Sequence, residues 1–112
     1  MTSHVTTHVL DAVAGRPAAG VGVTLSRHAG GGLTGVASAV TDDDGRVREL
    51  GPERLEAGVY RIVFATGEYF AAREQRTFYP QVTIDFSVED GQGHYHVPIL
   101  LSPFAYSTYR GS

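Results

Sequence analysis

The chain has 112 residues, of which 42% are hydrophobic, so it can bury one core but is too short to enclose a deep pocket on its own. A formal net charge of −3, with nine Lys and Arg residues spread along the chain, leaves no basic stripe that nucleic acid could follow. The absence of cysteine excludes disulfides and thiolate metal sites.

Alternation of apolar and polar residues predicts a chain made mostly of strands. Val21, Val23 and Leu25 alternate with small or polar residues, as in a strand with one buried face. The glycine run 30–32 and the acidic run 42–45 predict turns. The predicted strands cover residues 6–13, 21–26, 34–41, 46–48, 58–65, 81–89, 94–101 and 104–110.

A single segment has helical character. Thr66 is a suitable cap residue, Glu68 is an early acid, and two alanines follow at 71–72, so we predict one short helix near residues 67–75. Short strands at regular spacing with one helix are typical of a β-sandwich, and the predicted fold class is all-β.

The amino-terminal residues lack the basic and apolar regions of a signal peptide. No apolar run approaches the ~20 residues that a membrane-spanning helix needs. We therefore expect a soluble, cytoplasmic protein in which residues 1–112 form a single domain.

The first strand carries a histidine. Alternation places His8 and Leu10 on one face and Val9 and Val13 on the other. If the valines face the core, His8 lies on the outer face of the sheet. From this strand alone, an ordinary exposed histidine is the simpler interpretation.

The turn Asp44-Gly45-Arg46 projects a guanidinium from the start of a strand. Such a turn often marks only a hairpin with a solvated arginine. A planar guanidinium can also hold a flat polar ligand through paired hydrogen bonds and balance an anionic intermediate.

His94 and His96 lie two residues apart on one strand, so their side chains share a face and are separated by roughly 6.6 Å along it. They could ligate a metal or act as separate catalytic groups. His4 and His8 are too far apart along their strand, about 13 Å, to share an ion. We therefore expect no metal and no other cofactor.

Pro98 lacks the backbone amide that a central strand needs, so we expect the hydrogen-bond ladder of this strand to be interrupted there.

A turn at residues 102–103 leads into the last strand, where alternation puts Ser107 and Tyr109 on one face and Arg110 on the other. The chain then closes with Gly111 and Ser112. Terminal residues usually fray, which would leave this tail without a role.

The closing run Tyr-Arg-Gly-Ser at 109–112 and the run Val-Leu-Asp at 9–11 resemble the 5-hydroxyisourate hydrolases, the enzyme branch of the transthyretin-like family. The resemblance covers residues 7–112. It implies a transthyretin-like (prealbumin-like), seven-stranded, antiparallel-type β-sandwich. It also implies a homotetramer, built as a dimer of dimers, with sites at the subunit interface. Transthyretin itself, the hormone carrier, lacks the two histidines, the arginine and this ending.

The resemblance also implies residue roles. The catalytic residues would be His8, Arg46 and His96, and the substrate contacts would come from His8, Arg46, Tyr109, Arg110 and Ser112. The implied reaction is the hydrolysis of 5-hydroxyisourate to 2-oxo-4-hydroxy-4-carboxy-5-ureidoimidazoline in urate degradation. Which histidine acts as the base stays open.

Two other classes of function remain open. One is a non-catalytic carrier that binds a planar small molecule in the same channel. The other is a metal-binding or adhesive β-sandwich, in which the histidines bind copper or zinc.

Overall fold

Two β-sheets pack face to face in the computed structural model, which describes residues 3–111. The strands of the first sheet are β1 (Val5–Asp11), β2 (Arg16–Pro17), β5 (Arg46–Val47), β8 (Tyr95–Ser102) and β9 (Ala105–Thr108). Those of the second are β3 (Gly22–Ala29), β4 (Gly32–Val40), β6 (Gly58–Phe64) and β7 (Val82–Val88). The first sheet has the order β2-β1-β8-β9, with β5 also paired to β1, and the second has the order β4-β3-β6-β7. The all-β sandwich predicted from the sequence is confirmed.

The core lies between the sheets and is filled mainly by one side of β1, β3, β6, β7 and β8. Buried side chains alternate along β1, β3, β6 and β8, as the period-two pattern predicts. The largest ones, all less than 2% exposed, include Leu25, Tyr60, Ile62, Phe64, Ile99 and Leu101. The opposite faces of both sheets are left for solvent, ligands or other subunits.

The two ends of the chain meet in the first sheet. Strands β1 and β8 pair in parallel along the whole length of β1, from Val5 opposite Tyr95 to Asp11 opposite Leu101. The other strand pairs are antiparallel. This parallel pair brings His8 of β1 close to His96 of β8 and to His94, which precedes β8.

The helix α1 spans Thr66–Ala71, in the predicted region. The predicted cap is wrong: Ala65 is the N-cap residue and makes no side-chain cap hydrogen bond, while Thr66 is the first helical residue and its buried hydroxyl has no partner. The helix ends early because Glu74 adopts a left-handed backbone with φ of 55°. The amide of Gln75 then turns back to the carbonyl of Phe70.

The first strand ends at Asp11, two residues earlier than predicted. The Asp11 carboxylate accepts hydrogen bonds from the amides of Val13 and Ala14, which turns the chain away from the sheet. Val13 is therefore 72% exposed and does not share the buried side with Val9. The Tyr69 hydroxyl also donates to Asp11, at 2.8 Å, and thereby ties α1 to β1.

The predicted interruption at Pro98 is confirmed on the side of β9. The ladder between β8 and β9 stops at Ile99 opposite Thr108 and resumes only as a single bridge between His96 and Gly111. The Thr108 hydroxyl donates to the Pro98 carbonyl at 2.8 Å in place of a backbone bond. On the other side, the parallel ladder with β1 continues through Pro98.

Within residues 3–111, no helix is long and apolar enough to cross a membrane. The cytoplasmic location expected from the sequence stays a prediction.

Candidate functional site

His8 and Arg46 lie side by side in the first sheet. Strands β1 and β5 pair so that His8 stands opposite Arg46. The turn before Arg46 is held by Asp42, whose carboxylate accepts the amides of Asp44 and Arg46, both at 2.9 Å. Gly45 lies so close to β1 that a Cβ there would clash with the Val9 carbonyl oxygen. The Asp42 hydrogen bonds and the small Gly45 therefore place Arg46 directly beside the first strand.

The His8 ring is oriented by the same turn. Its Nε2 lies 2.9 Å from the carbonyl oxygen of Asp44. A carbonyl only accepts hydrogen bonds, so Nε2 carries the proton and donates it. In the neutral ring, Nδ1 of His8 is then free to act as a base or to accept a hydrogen bond.

His96 joins this pair from the neighbouring strand. Parallel pairing places His96 opposite Thr6 and Pro98 opposite His8, so His96 and His8 lie on the same face of the sheet. The Nδ1 atom of His96 lies 2.8 Å from the Thr6 hydroxyl. His94 stacks nearby, with its ring centre 6.3 Å from that of His96. The structure thus brings together the three side chains that the sequence singles out as catalytic.

The electrostatics of the cluster favour neutral imidazoles. Burial lowers the pKa of His96, and the positive charge of Arg46 and the neighbouring histidines lower it further, against a hydrogen bond with the Thr6 backbone that raises it. Burial and then Arg46 likewise lower the pKa of His8, opposed by the Asp44 carbonyl and two nearby carboxylates. Since an unperturbed histidine has a pKa near 6.5, both rings are mainly neutral at pH 7. Two neutral imidazoles beside a fixed guanidinium can take up and return a proton while a negative charge forms.

Arg46 and His96 line an open depression on the outer face of the first sheet, and His8 lies opposite Arg46 but is not part of that lining. The lining residues are Thr6, Thr7, Arg46, Val47, Arg48, His94 and His96. Leu100, farther along the same face, is 41% exposed. This face therefore offers only a shallow surface.

The carboxy-terminal tail reaches the cluster through its glycine. The Gly111 amide donates to the His96 carbonyl at 2.8 Å, and a Cβ on Gly111 would lie 2.6 Å from Cδ2 of the His96 ring. Tyr109 is 58% exposed. The Arg110 guanidinium does not join the cluster, because it lies 4.4 Å over the ring of Tyr95 on the other face of β8. Ser112 lies outside the described residues, so its predicted role is not tested.

Sequence reasoning missed Thr6, and it included Gly111 only as part of a tail expected to line the site, with no role of its own. Thr6 precedes His8 by two residues and therefore shares its face, so alternation alone points to Thr6 as a neighbour of the site. Gly111 is recognisable only once the tail is known to pass over His96. Among residues 3–111, no group of three or more histidine or acidic side chains is arranged to hold a metal ion.

Residues 5–111 match the model of the HIUase/Transthyretin family. The chain is 47% identical to the 5-hydroxyisourate hydrolase of Caulobacter vibrioides, over 98% of this chain and 99% of that protein. Among solved structures it is similar to Klebsiella pneumoniae 5-hydroxyisourate hydrolase, with a TM-score of 0.86, 38% identity, and coverage of 96% of this chain and 98% of that one. It is also similar to sea bream transthyretin in complex with thyroxine, with a TM-score of 0.91, 36% identity, and coverage of 96% and 93%.

Proposed function

The chain belongs to the HIUase/Transthyretin family and acts as a 5-hydroxyisourate hydrolase, and we propose that His8, Arg46 and His96 carry out the reaction. The transthyretin-like fold expected from the sequence is confirmed by the same likenesses. Backbone similarity alone does not separate enzyme from carrier, because both kinds of protein superpose well. The observation that carries the catalytic proposal is the convergence of two neutral imidazoles and a guanidinium on one sheet face.

The proposed reaction adds water to a lactam of the six-membered ring. One imidazole removes a proton from water as its oxygen attacks the carbonyl carbon. The carbon–nitrogen bond then breaks, and the proton passes from the imidazolium to the departing nitrogen, which yields 2-oxo-4-hydroxy-4-carboxy-5-ureidoimidazoline. No redox partner is needed, and we expect no metal. General acid–base groups of this kind contribute about 10²- to 10⁴-fold to rate.

Arg46 would bind the substrate and balance its charge. A planar guanidinium presents parallel N–H donors that match the oxygen and nitrogen acceptors of a urate-like ring. Its position opposite His8 would hold the reacting carbonyl within reach of the imidazoles. The same positive charge lowers the pKa of both histidines and so keeps them available as bases at neutral pH.

The roles of Tyr109, Arg110 and Ser112 as substrate contacts stay predictions. Tyr109 is exposed but lines a pocket with Tyr95, Val97 and Arg110, so it would have to turn toward the depression beside His96 to close over a flat ring. Arg110 would reach substrate only after leaving the ring of Tyr95.

We also expect the protein to form a homotetramer, a dimer of dimers. The open depression and the exposed Leu100 on the same sheet face support this, since a second copy would cover the apolar surface and deepen the site. Size-exclusion chromatography with light scattering measures the mass of the assembly. A monomer that is fully active would contradict a site completed by another subunit.

The test of the catalytic proposal follows the ultraviolet decay of 5-hydroxyisourate generated in place by urate oxidase. We expect His8→Ala, Arg46→Ala and His96→Ala to lose about 10²-fold or more in kcat/KM while remaining folded. His28→Ala and Arg61→Ala are matched controls, because both side chains contact Asp85 on the second sheet. A near-normal rate in any of the first three variants removes that residue from the mechanism. Binding of the substrate without turnover by the unaltered protein would favour a carrier.

A further inference from the structure

Thr6 is a buried residue whose hydroxyl bonds two imidazoles at once. Its Oγ1 lies 2.8 Å from Nδ1 of His96 and 2.9 Å from Nε2 of His94. The residue is only 6% exposed, and it stands opposite His96 in the parallel ladder. Such a contact holds both rings in position and makes the tautomer of one ring depend on that of the other.

The Thr6 hydroxyl forms a bridge between His94 and His96, and the proton positions on these three side chains depend on one another. A hydroxyl has one proton to donate and two lone pairs that accept. If both imidazoles donated to Thr6, its own proton would have no acceptor among the described residues, although the group is buried. The satisfied arrangement is therefore one in which Thr6 accepts from one ring and donates to the other.

We infer that Thr6 is a positioning residue which, together with His94, holds the proton of neutral His96 on Nδ1. If the proposed function holds, Nε2 of His96 is then free to deprotonate water. In this arrangement His96 Nδ1–H donates to Thr6, and the Thr6 hydroxyl donates to Nε2 of His94. The opposite arrangement would put the proton of His96 on Nε2, which could then only donate. His8 is held in a comparable way, since its Nε2 donates to the Asp44 carbonyl and its Nδ1 stays free.

The pKa of His96 should change when this bridge is removed, and the direction of the change depends on how the bridge is arranged. The titratable and charged groups near His96 are His8 on β1, Arg46 on β5, His94 before β8, and Arg48 with its partners Asp42 and Asp44. A hydroxyl that accepts from Nδ1–H stabilises the imidazolium, so its removal should lower the pKa of His96. A hydroxyl that donates to Nδ1 competes with protonation, so its removal should raise that pKa. The direction of the shift therefore distinguishes the two arrangements.

The experiment compares Thr6→Val, which keeps the shape and removes the hydroxyl, with Thr6→Ser, which restores it. We expect Thr6→Val to lower kcat on 5-hydroxyisourate about tenfold, the equivalent of one net hydrogen bond, with KM little changed. The acid limb of its pH profile should move to lower pH, and Thr6→Ser should recover most of the rate and the original limb. Thr24→Val, at an exposed threonine of the second sheet, is the matched control. An unchanged kcat and acid limb in Thr6→Val, or a limb that moves to higher pH, would overturn the inference.

A measurement without substrate separates this inference from the proposed function. Nitrogen NMR of the histidine rings shows which nitrogen of neutral His96 is protonated, whether or not the protein hydrolyses anything. We expect Nδ1 in the unaltered protein and a mixture of both tautomers in Thr6→Val. If Thr6→Val does not fold, His94→Leu at an exposed position removes the other end of the bridge and should also release the tautomer. A proton on Nε2 of His96 in the unaltered protein would refute the assignment.

Discussion

Replacing Gly111 by alanine should disable the site while leaving the fold intact. The new Cβ would lie 2.6 Å from Cδ2 of His96 and 3.3 Å from its Cβ and Cγ. To restore a contact of 3.4 Å, the ring or the tail must move by about 0.8 Å. Displacements of about 1 Å at a catalytic group can cost ~10²-fold in rate, so we expect kcat to fall by up to about a hundredfold.

The assay is the decay of 5-hydroxyisourate, with urea denaturation as the check on folding. Gly35→Ala is the matched control, because a Cβ at that position of β4 meets nothing within 4 Å. The tail adds little to the core, so the urea midpoint of Gly111→Ala should stay close to that of the unaltered protein. If Gly111→Ala keeps its full kcat, the tail does not constrain His96 and the reasoning fails.

Two further predictions follow from the charges and the buried polar contacts. Arg46→Gln removes the positive charge that lowers the pKa of His96 and His8, so both pKa values should rise. The acid limb of kcat/KM for the residual hydrolysis should therefore move to higher pH. An acid limb that stays in place or moves to lower pH would contradict this. Tyr69→Phe removes the hydroxyl that donates to buried Asp11 at 2.8 Å. We expect the free energy of unfolding, measured by urea denaturation, to fall by about 2 kcal/mol while kcat stays unchanged. An unaltered urea midpoint would show that the Asp11 contact is not stabilising.

Local patterns predicted most of the strands. The alternation of Val23 and Leu25 with polar residues corresponds to β3, and the missing amide of Pro98 corresponds to the interrupted ladder between β8 and β9. The side of the sheet that carries His8 also follows from alternation. These features depend on a few adjacent residues, which is why sequence reasoning reaches them.

Features that depend on distant parts of the chain were harder to predict. Parallel pairing of β1 with β8 joins residues about ninety positions apart, and no local pattern specifies it. That pairing creates the bridge from Thr6 to His94 and His96, so the role of Thr6 was missed. The cap at Thr66 was wrong because cap propensity is a weak preference that tertiary packing overrides.

The identification of His8, Arg46 and His96 came from resemblance rather than from physics. Each of the three has an ordinary structural interpretation when its own segment is considered alone. Only the fold shows that β1, β5 and β8 are neighbours and present these side chains on one face.

A double-mutant cycle between His8 and His96 tests most directly whether the two imidazoles serve one reacting centre. Kinetics of 5-hydroxyisourate decay are measured for His8→Ala, His96→Ala and the double variant. Groups that act as a unit show strongly non-additive losses, so the double variant should be about as slow as the slower single variant. If the two losses multiply, the histidines act independently and the shared site proposed for them is contradicted.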